Sequence, residues 1–190
     1  MEAILTPNEV AALAEMPRTT IEKALEQKVL GRGRNSNRRR LLPLSAVAVA
    51  ATVRTLGRRL TVSDKRLVAR RRVMRSPEEL KEAMVEVAPS MVVHVGKLAR
   101  EAVERAERYT AARDRFIECV PGVQGGRPVI RGTRLTVSAI HGRLSSGDTI
   151  ADLVEDYPEI PKEAFDVAYI YGETHPQVGR PRLRPSGSVA

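Results

Sequence analysis

The chain has 190 residues, a formal charge of +9, no Trp and only two Phe and four Tyr, so its cores must be built from Ala, Val, Leu and Ile. A single cysteine, Cys119, excludes a disulfide framework within the chain and a cysteine-rich zinc site. No apolar run approaches the roughly 20 residues of a membrane span, and no signal-peptide pattern is seen, so a soluble, cytoplasmic protein is expected. The charge is divided along the chain. Residues 1–75 hold 17 Lys/Arg against 6 Asp/Glu, residues 76–176 hold 12 against 17, and residues 177–190 hold three Arg and no acid. Such a split implies an electropositive N-terminal module facing a polyanion, joined to a part with another purpose.

Thr6-Pro7-Asn8-Glu9 predicts a helix start, with Thr6 as N-cap, Pro7 in the first turn and Glu9 closing a capping box. Val10, Leu13 and Ala14 mark its buried face. Pro17 opens a second helix with Ile21, Ala24 and Leu25 inward and Arg18, Thr19, Glu22, Lys23 and Gln27 on the polar face. Two short helices joined by a tight turn have helix-turn-helix geometry, whose second helix enters the DNA major groove. Gly31 to Arg40 then offers turn residues carrying Arg32, Arg34, Arg38, Arg39 and Arg40, the composition of a phosphate-neutralising wing. An Ala/Val-rich helix opened by Leu44-Ser45 follows, with Val49, Val53 and Leu56 on one side, and then a basic helix through Arg75. The order Leu5-Thr6, Val10-Ala11, Met16-Pro17-Arg18, Thr20-Ile21, Arg-rich turn and Leu44-Ser45 resembles the winged helix-turn-helix of the MerR and excisionase class over about the first 57 residues. That resemblance implies a DNA-binding module at residues 1–75.

Residues 76–118 read as a linker and dimerisation element. Ser76-Pro77 starts a short helix expected to run to about Glu86, and Pro89-Ser90 breaks it. Met91 to Val95 is a β-type run with no obvious neighbour in sequence, suited to pairing with its own copy. Leu98 to about Arg115 is helical, with Leu98, Ala102, Ala106 and Tyr109 on one face and Glu101–Arg105 and Glu104–Arg108 as i,i+4 pairs.

Residues 119–174 form the last structured module. Pro128 to Ile130 and Leu135 to Val137 are β-favouring runs flanking an Arg-Gly-Thr-Arg turn, and a strand partner in Met91 to Val95 is expected. Ser138 then starts a helix ended by Gly147, Thr149 caps a second, and Pro161 opens a third with Ala164, Val167, Ala168 and Tyr171 inward. The run Gly125-Gly126, Pro128-Val129-Ile130, Gly132-Thr133-Arg134-Leu135 and Val137, followed by Gly147, Ile150 and Asp156-Tyr157-Pro158, resembles the domain-of-unknown-function family numbered 433 over residues 117–174. That family often supplies antitoxins of type II toxin–antitoxin pairs, VapB-like partners of PIN-type ribonucleases. The resemblance implies a protein that binds its operator DNA with one module and the toxin with the other, and a homodimer is expected because helix-turn-helix modules read two half-sites one helical turn apart.

The fold class expected is thus mainly α with short β elements: an N-terminal winged helix-turn-helix, a helical linker, and a C-terminal β-hairpin plus three-helix cluster. The DNA-binding candidates are Arg18, Thr19, Lys23, Arg32, Arg34, Arg38, Arg39 and Arg40. Residues 175–190 are Pro/Gly-rich and basic and cannot bury enough surface to fold alone. Their Arg180, Arg182 and Arg184 could lie bidentate on the metal-binding carboxylates of a PIN-type toxin. No catalytic, metal or cofactor constellation is expected. Asp148, Asp152 and Asp156 read as a solvated helix face, His94 as a strand residue, and His141 and His175 as surface polar residues. The alternatives are a winged-helix regulator without a toxin partner and an adaptor whose Arg wing binds RNA or acidic protein.

Overall fold

The computed structural model describes residues 4–30, 34–36, 39–70, 77–89 and 91–176. It is mainly helical with short antiparallel strand pairs. Strand β1 (Ile4–Leu5) leads into α1 (Pro7–Leu13) through the expected capping box: Glu9 N–H donates to Thr6 Oγ1 at 3.3 Å and Thr6 N–H to Glu9 Oε2 at 2.6 Å. Glu15, at φ 53°, turns the chain into α2 (Arg18–Glu26), which buries Ile21, Ala24 and Leu25. Strands β2 (Arg34–Ser36) and β3 (Arg39–Pro43) form a hairpin with Asn35 opposite Arg40, and β1 pairs on the other edge of β3 with Leu5 opposite Leu42.

Helix α3 (Ser45–Leu56) buries every residue from Ala46 to Thr52. Sequence periodicity assigns it one apolar side. From Ala46 to Thr52 it is instead covered all round, the expected setting of a helical stretch that is apolar on every face, while Arg54 and Thr55 in its last turn are exposed. Its main neighbour is α6 (Val95–Phe116), whose buried Ala99, Ala102, Val103 and Ala106 present a small-residue stripe to the Ala/Val-rich α3. Small side chains permit close approach of two helices, and this is how a chain poor in aromatics builds a dense centre. Between them in sequence lie α4 (Val62–Arg70) and α5 (Pro77–Glu82). Arg71 to Ser76, including the rest of the basic run, lie outside the described residues.

The middle of the chain departs from expectation. The helix expected to reach Glu86 ends at Glu82, and Val85–Ala88 is strand β4, paired antiparallel with β5 (Met91–Val93). Val85 lies opposite Val93, and both are buried. Pro89 stands in the turn just after β4 rather than at a helix break, and Ser90 lies outside the described residues. The run at Met91 therefore has a partner in its own chain and pairs neither with the 128–137 segment nor through need with a second copy.

Gly96 fixes how α5 crosses the start of α6. A Cβ built there would sit 2.0 Å from the Lys81 backbone oxygen, and Gly96 N–H donates to Ala83 O at 2.9 Å. Backbone faces backbone, so no rotamer change relieves the clash. Gly96→Ala is expected to destabilise the fold by about 3 kcal/mol, at the upper end of overpacking costs, which a urea melt measures as a lower midpoint.

The C-terminal part begins with β6 (Ile117–Glu118), which pairs with β7 (Val129–Ile130), Ile117 opposite Ile130. The expected hairpin is present in part. The 135–137 run gives one bridge, Val129 to Thr136, backed by Ile130 N–H to Leu135 O at 2.9 Å. Thr136 is then extended at φ −77°, ψ 144° and caps α7 (Val137–Ser145), so the helix starts one residue before the expected Ser138. Arg131 donates to the carbonyls of Arg115 at 2.8 Å and Asp114 at 3.1 Å, satisfying the C-terminal end of α6. Gly147, at φ 114°, sits in a Schellman turn, with Gly147 N–H to Leu144 O and Asp148 N–H to Arg143 O. Thr149 and Asp152 form the capping box of α8 (Ile150–Asp156), and α9 (Lys162–Thr174) follows Pro161 as expected. Phe165, Leu153, Ile140 and Ala168 are fully buried there. Helix α9 also packs on α6 and α1, and one continuous core runs from Leu5 to Ala168. Among the described residues no helix is long and apolar enough to cross a membrane.

Candidate nucleic-acid interface and the C-terminal cleft

The seating of α2 decides which of its residues face outward. With Ile21, Ala24 and Leu25 held by α1, the residues Arg18, Thr19, Glu22 and Lys23 are all exposed. Arg18 Nε lies 2.8 Å from Glu22 Oε1, an exposed i,i+4 pair that costs little to open. Arg40 is exposed on β3. The backbones of Arg34 and Arg39 lie in the hairpin ladder, opposite Leu41 and Ser36, while Arg32 and Arg38 lie outside the described residues. Two further exposed cations, Arg58 and Arg59 in the turn after α3, carry no sequence signal because no motif surrounds them. Arg66 Nε donates to Gln27 O at 2.8 Å, setting a cation at the C-terminal end of α2 and joining α4 to it.

Behind this surface lies a buried polar joint. Glu9 is 1 % exposed, yet its Oε1 accepts from Tyr109 Oη at 2.8 Å and from Arg113 Nη1 at 2.9 Å. Burial, and then the neighbouring Glu9 charge, push the Tyr109 phenol far above its ordinary range, so it remains a donor. Arg113 also donates to Ile4 O at 3.0 Å, and Asn8 Nδ2 donates to Thr174 O at 2.8 Å. The N-terminal module is thereby tied to α6 and to the end of α9. Glu15 binds Arg54 and, at 2.7 Å, Arg105, and these guanidinium groups hold its carboxyl below the usual range. Arg105 thus reaches across to α1 instead of pairing along its own helix.

The acidic stripe of residues 148–156 is organised rather than merely solvated. Asp152 is consumed by the capping box, and Arg143 bridges Asp148 at 2.5 Å and Asp156 at 2.6 Å. The two carboxylates keep that guanidinium charged. Among the described residues no three His, Cys, Asp or Glu side chains converge as a metal site, and Cys119 is exposed.

His141 and His175, expected as surface polar residues, are partly buried and have partners. His141 Nε2 lies 2.6 Å from Glu173 Oε1, and its ring stacks on Tyr169 at 5.7 Å between centroids. His175 stacks nearly parallel on Tyr171, at 4.0 Å and 8°. His141 and His175 line one cleft of about 480 Å³ with Ser138, Tyr171 and Glu173, walled by Pro128, Val137 and Pro176. Gly172 makes the arrangement possible, since a Cβ there would lie 2.7 Å from His141 Cβ. A glycine inside an otherwise good helix is the sequence signal for this close approach. His94, expected as a strand residue, stands instead just past the end of β5 as the exposed N-cap residue of α6. Arg180, Arg182 and Arg184 lie outside the described residues.

No solved structure matches the chain. A protein of Sinorhizobium fredii (strain NBRC 101917 / NGR234), named "Uncharacterized protein y4eO", is 28% identical over 98% of this chain and 89% of its own length, so the likeness runs through both the N-terminal module and the C-terminal cluster. The resemblance read in Gly125 to Val137 is borne out: residues 117–171, from β6 to the last turns of α9, match the family described as "Protein of unknown function (DUF433)".

Proposed function

We propose that the chain is a DNA-binding antitoxin of the type II class: a winged helix-turn-helix at the N-terminus grips its operator as an autorepressor, and the C-terminal part neutralises a PIN-type ribonuclease. The observation that carries the DNA half is the order α1, four-residue turn, α2, Arg-bearing hairpin and α3, with Arg18, Thr19, Lys23 and Arg40 on the outside. The toxin half rests on the family matched by residues 117–171 and on the basic segment after Pro176. The mechanism is non-catalytic and uses no cofactor. It acts in the cytoplasm as a homodimer, because helix-turn-helix proteins read paired half-sites about one helical turn apart.

Co-expression with the adjacent open reading frame tests the antitoxin step. A toxic neighbour that co-purifies with this chain is expected; a harmless neighbour that does not bind sinks it. With such a toxin in hand, replacing Arg180, Arg182 and Arg184 together by Gln is expected to abolish neutralisation and spare operator binding, read by growth rescue and by gel shift. Undiminished rescue would remove these arginines from the toxin interface. One observation favours the second reading, a regulator without a toxin. The continuous core from Leu5 to Ala168 joins the C-terminal cluster to the N-terminal module in one body, which supports a cluster that serves the regulator rather than a separate toxin-binding arm.

A further inference from the structure

We infer that Arg66 and Arg105 are positioning residues that fix the orientation of α2 for sequence reading, without themselves touching DNA. The inference rests on the operator-binding reading of α2 and names what holds that helix in place. It starts from how the two helices of the pair end. Helix α1 closes in a Schellman turn, with Met16 N–H donating to Ala11 O at 2.9 Å and Glu15 N–H to Ala12 O at 3.1 Å. Helix α2 closes in the same way, with Val29 N–H donating to Ala24 O at 2.8 Å and Lys28 N–H to Leu25 O at 3.0 Å. The left-handed position of such a turn favours Gly, yet it holds Glu15 at φ 53° in the first and Lys28 at φ 56° in the second. Backbone preference alone therefore keeps neither turn.

Each turn is gripped by an arginine from outside the helix pair. Schellman bonds leave the last carbonyls of a helix to other donors. At the end of α1, Arg105 of α6 donates from Nη1 to Leu13 O at 3.0 Å, and its Nη2 lies 2.7 Å from Glu15 Oε1. Arg54 of α3 takes the other oxygen, Glu15 Oε2. At the end of α2, Arg66 of α4 donates from Nε to Gln27 O at 2.8 Å. Helix α2 lies between the two gripped turns, while its outward Arg18, Thr19 and Lys23 stay exposed. The residues that face DNA and the residues that set the helix are thus different ones. Although α4 is basic, the bond to Gln27 O ties Arg66 to the protein and assigns it to the second group.

The test uses the full chain carrying Arg66→Gln, Arg105→Gln or Glu15→Gln. It is read by amide hydrogen exchange, and by fluorescence anisotropy on the DNA upstream of the gene and on an unrelated duplex of equal length. Exchange across residues 18–26 is expected to quicken about fivefold in each arginine variant, the factor that one hydrogen bond is worth, and less in Glu15→Gln. The melting temperature should fall by no more than about 4 °C. Preference for the upstream DNA should drop by a similar factor of about five, with the slope of log affinity against log salt unchanged. A lost phosphate contact does the reverse: it lowers both affinities together and reduces that slope by about 0.9. Arg66→Lys should restore the protection of α2, because Lys also donates to a carbonyl. Arg105→Lys should not, because one ammonium cannot replace the fork that serves Leu13 O and Glu15 together. Should Arg105→Gln fail to fold, Glu15→Gln carries the comparison at the first turn, since that side chain is half-exposed. Unchanged exchange of α2 in the folded variants overturns the inference whatever the chain binds. So does a slope reduced by about 0.9 at constant preference. A native chain that shows no preference for the upstream DNA sinks the operator reading instead, and exchange then still decides whether these arginines hold α2.

Discussion

Replacing Arg32, Arg34, Arg38, Arg39 and Arg40 together by Ala is expected to weaken binding to the DNA upstream of the gene by about a thousandfold at 0.15 M salt, with the fold intact. The reasoning is electrostatic. Each Arg that neutralises a phosphate releases condensed counterions and adds roughly 0.9 to the slope of log affinity against log salt. Removing five such arginines should therefore flatten that slope by about 4.5. The hairpin ladder should survive, because its bonds are backbone bonds and its buried side chain, Leu42, is untouched. Lys23→Ala on the exposed face of α2 should behave differently: a uniform loss with a slope change near 1 marks a phosphate contact, whereas a loss confined to the native sequence marks a base contact. Fluorescence anisotropy across a salt series separates them. A slope unchanged by removal of five Arg would remove the hairpin from the interface and with it the winged reading.

How far the sequence foretells this structure depends on the range of the interaction. The capping boxes Thr6/Glu9 and Thr149/Asp152 span three residues, and both are legible because donor, acceptor and helix start lie in one short window. Between Thr136 and Ser138 the sequence does not decide, because either hydroxyl can cap. The choice falls to the bridge between Val129 and Thr136, which sets the extended backbone that an N-cap requires. Val85 to Ala88 reads as helix as long as Pro89-Ser90 reads as a breaker; recognition of a hairpin needs the pairing of Val85 with Val93. Of the candidate interface, the exposure of Arg18, Thr19 and Lys23 follows from helical periodicity alone. The cleft does not, since His141 and His175 come to line one cleft only when α7 packs on α9. The 128–130 strand illustrates the same limit: its partner, Ile117–Glu118, looks in sequence like the end of a helix and its sequel.

Glu9→Gln should cost about 3 kcal/mol of stability, the scale set by removing one partner of a buried ion pair, and lower the melting temperature by roughly 6–12 °C for a chain of this size. The carboxylate serves two ranges at once. Its Oε2 closes the capping box locally, while Oε1 receives Tyr109 and Arg113 from residues about a hundred positions away. An amide keeps the shape but turns one acceptor into a donor, so it must point its NH2 at either Thr6 N–H or the Tyr109–Arg113 pair. Either choice leaves donors facing each other in a site that is 1 % exposed. Arg113 retains Asp114 and Ile4 O but loses the charge that offsets its burial. The half-exposed Glu15, paired with Arg54 and Arg105, makes the control: Glu15→Gln should shift the melt only slightly, because water screens that pair. Tyr109→Phe combined with Glu9→Gln completes a double-mutant cycle. A coupling of about 1 kcal/mol or more is expected for two residues sharing one buried hydrogen bond. Additive effects would mean that Glu9 acts only as a cap, and that the joint between α1 and α6 is held by its apolar neighbours instead.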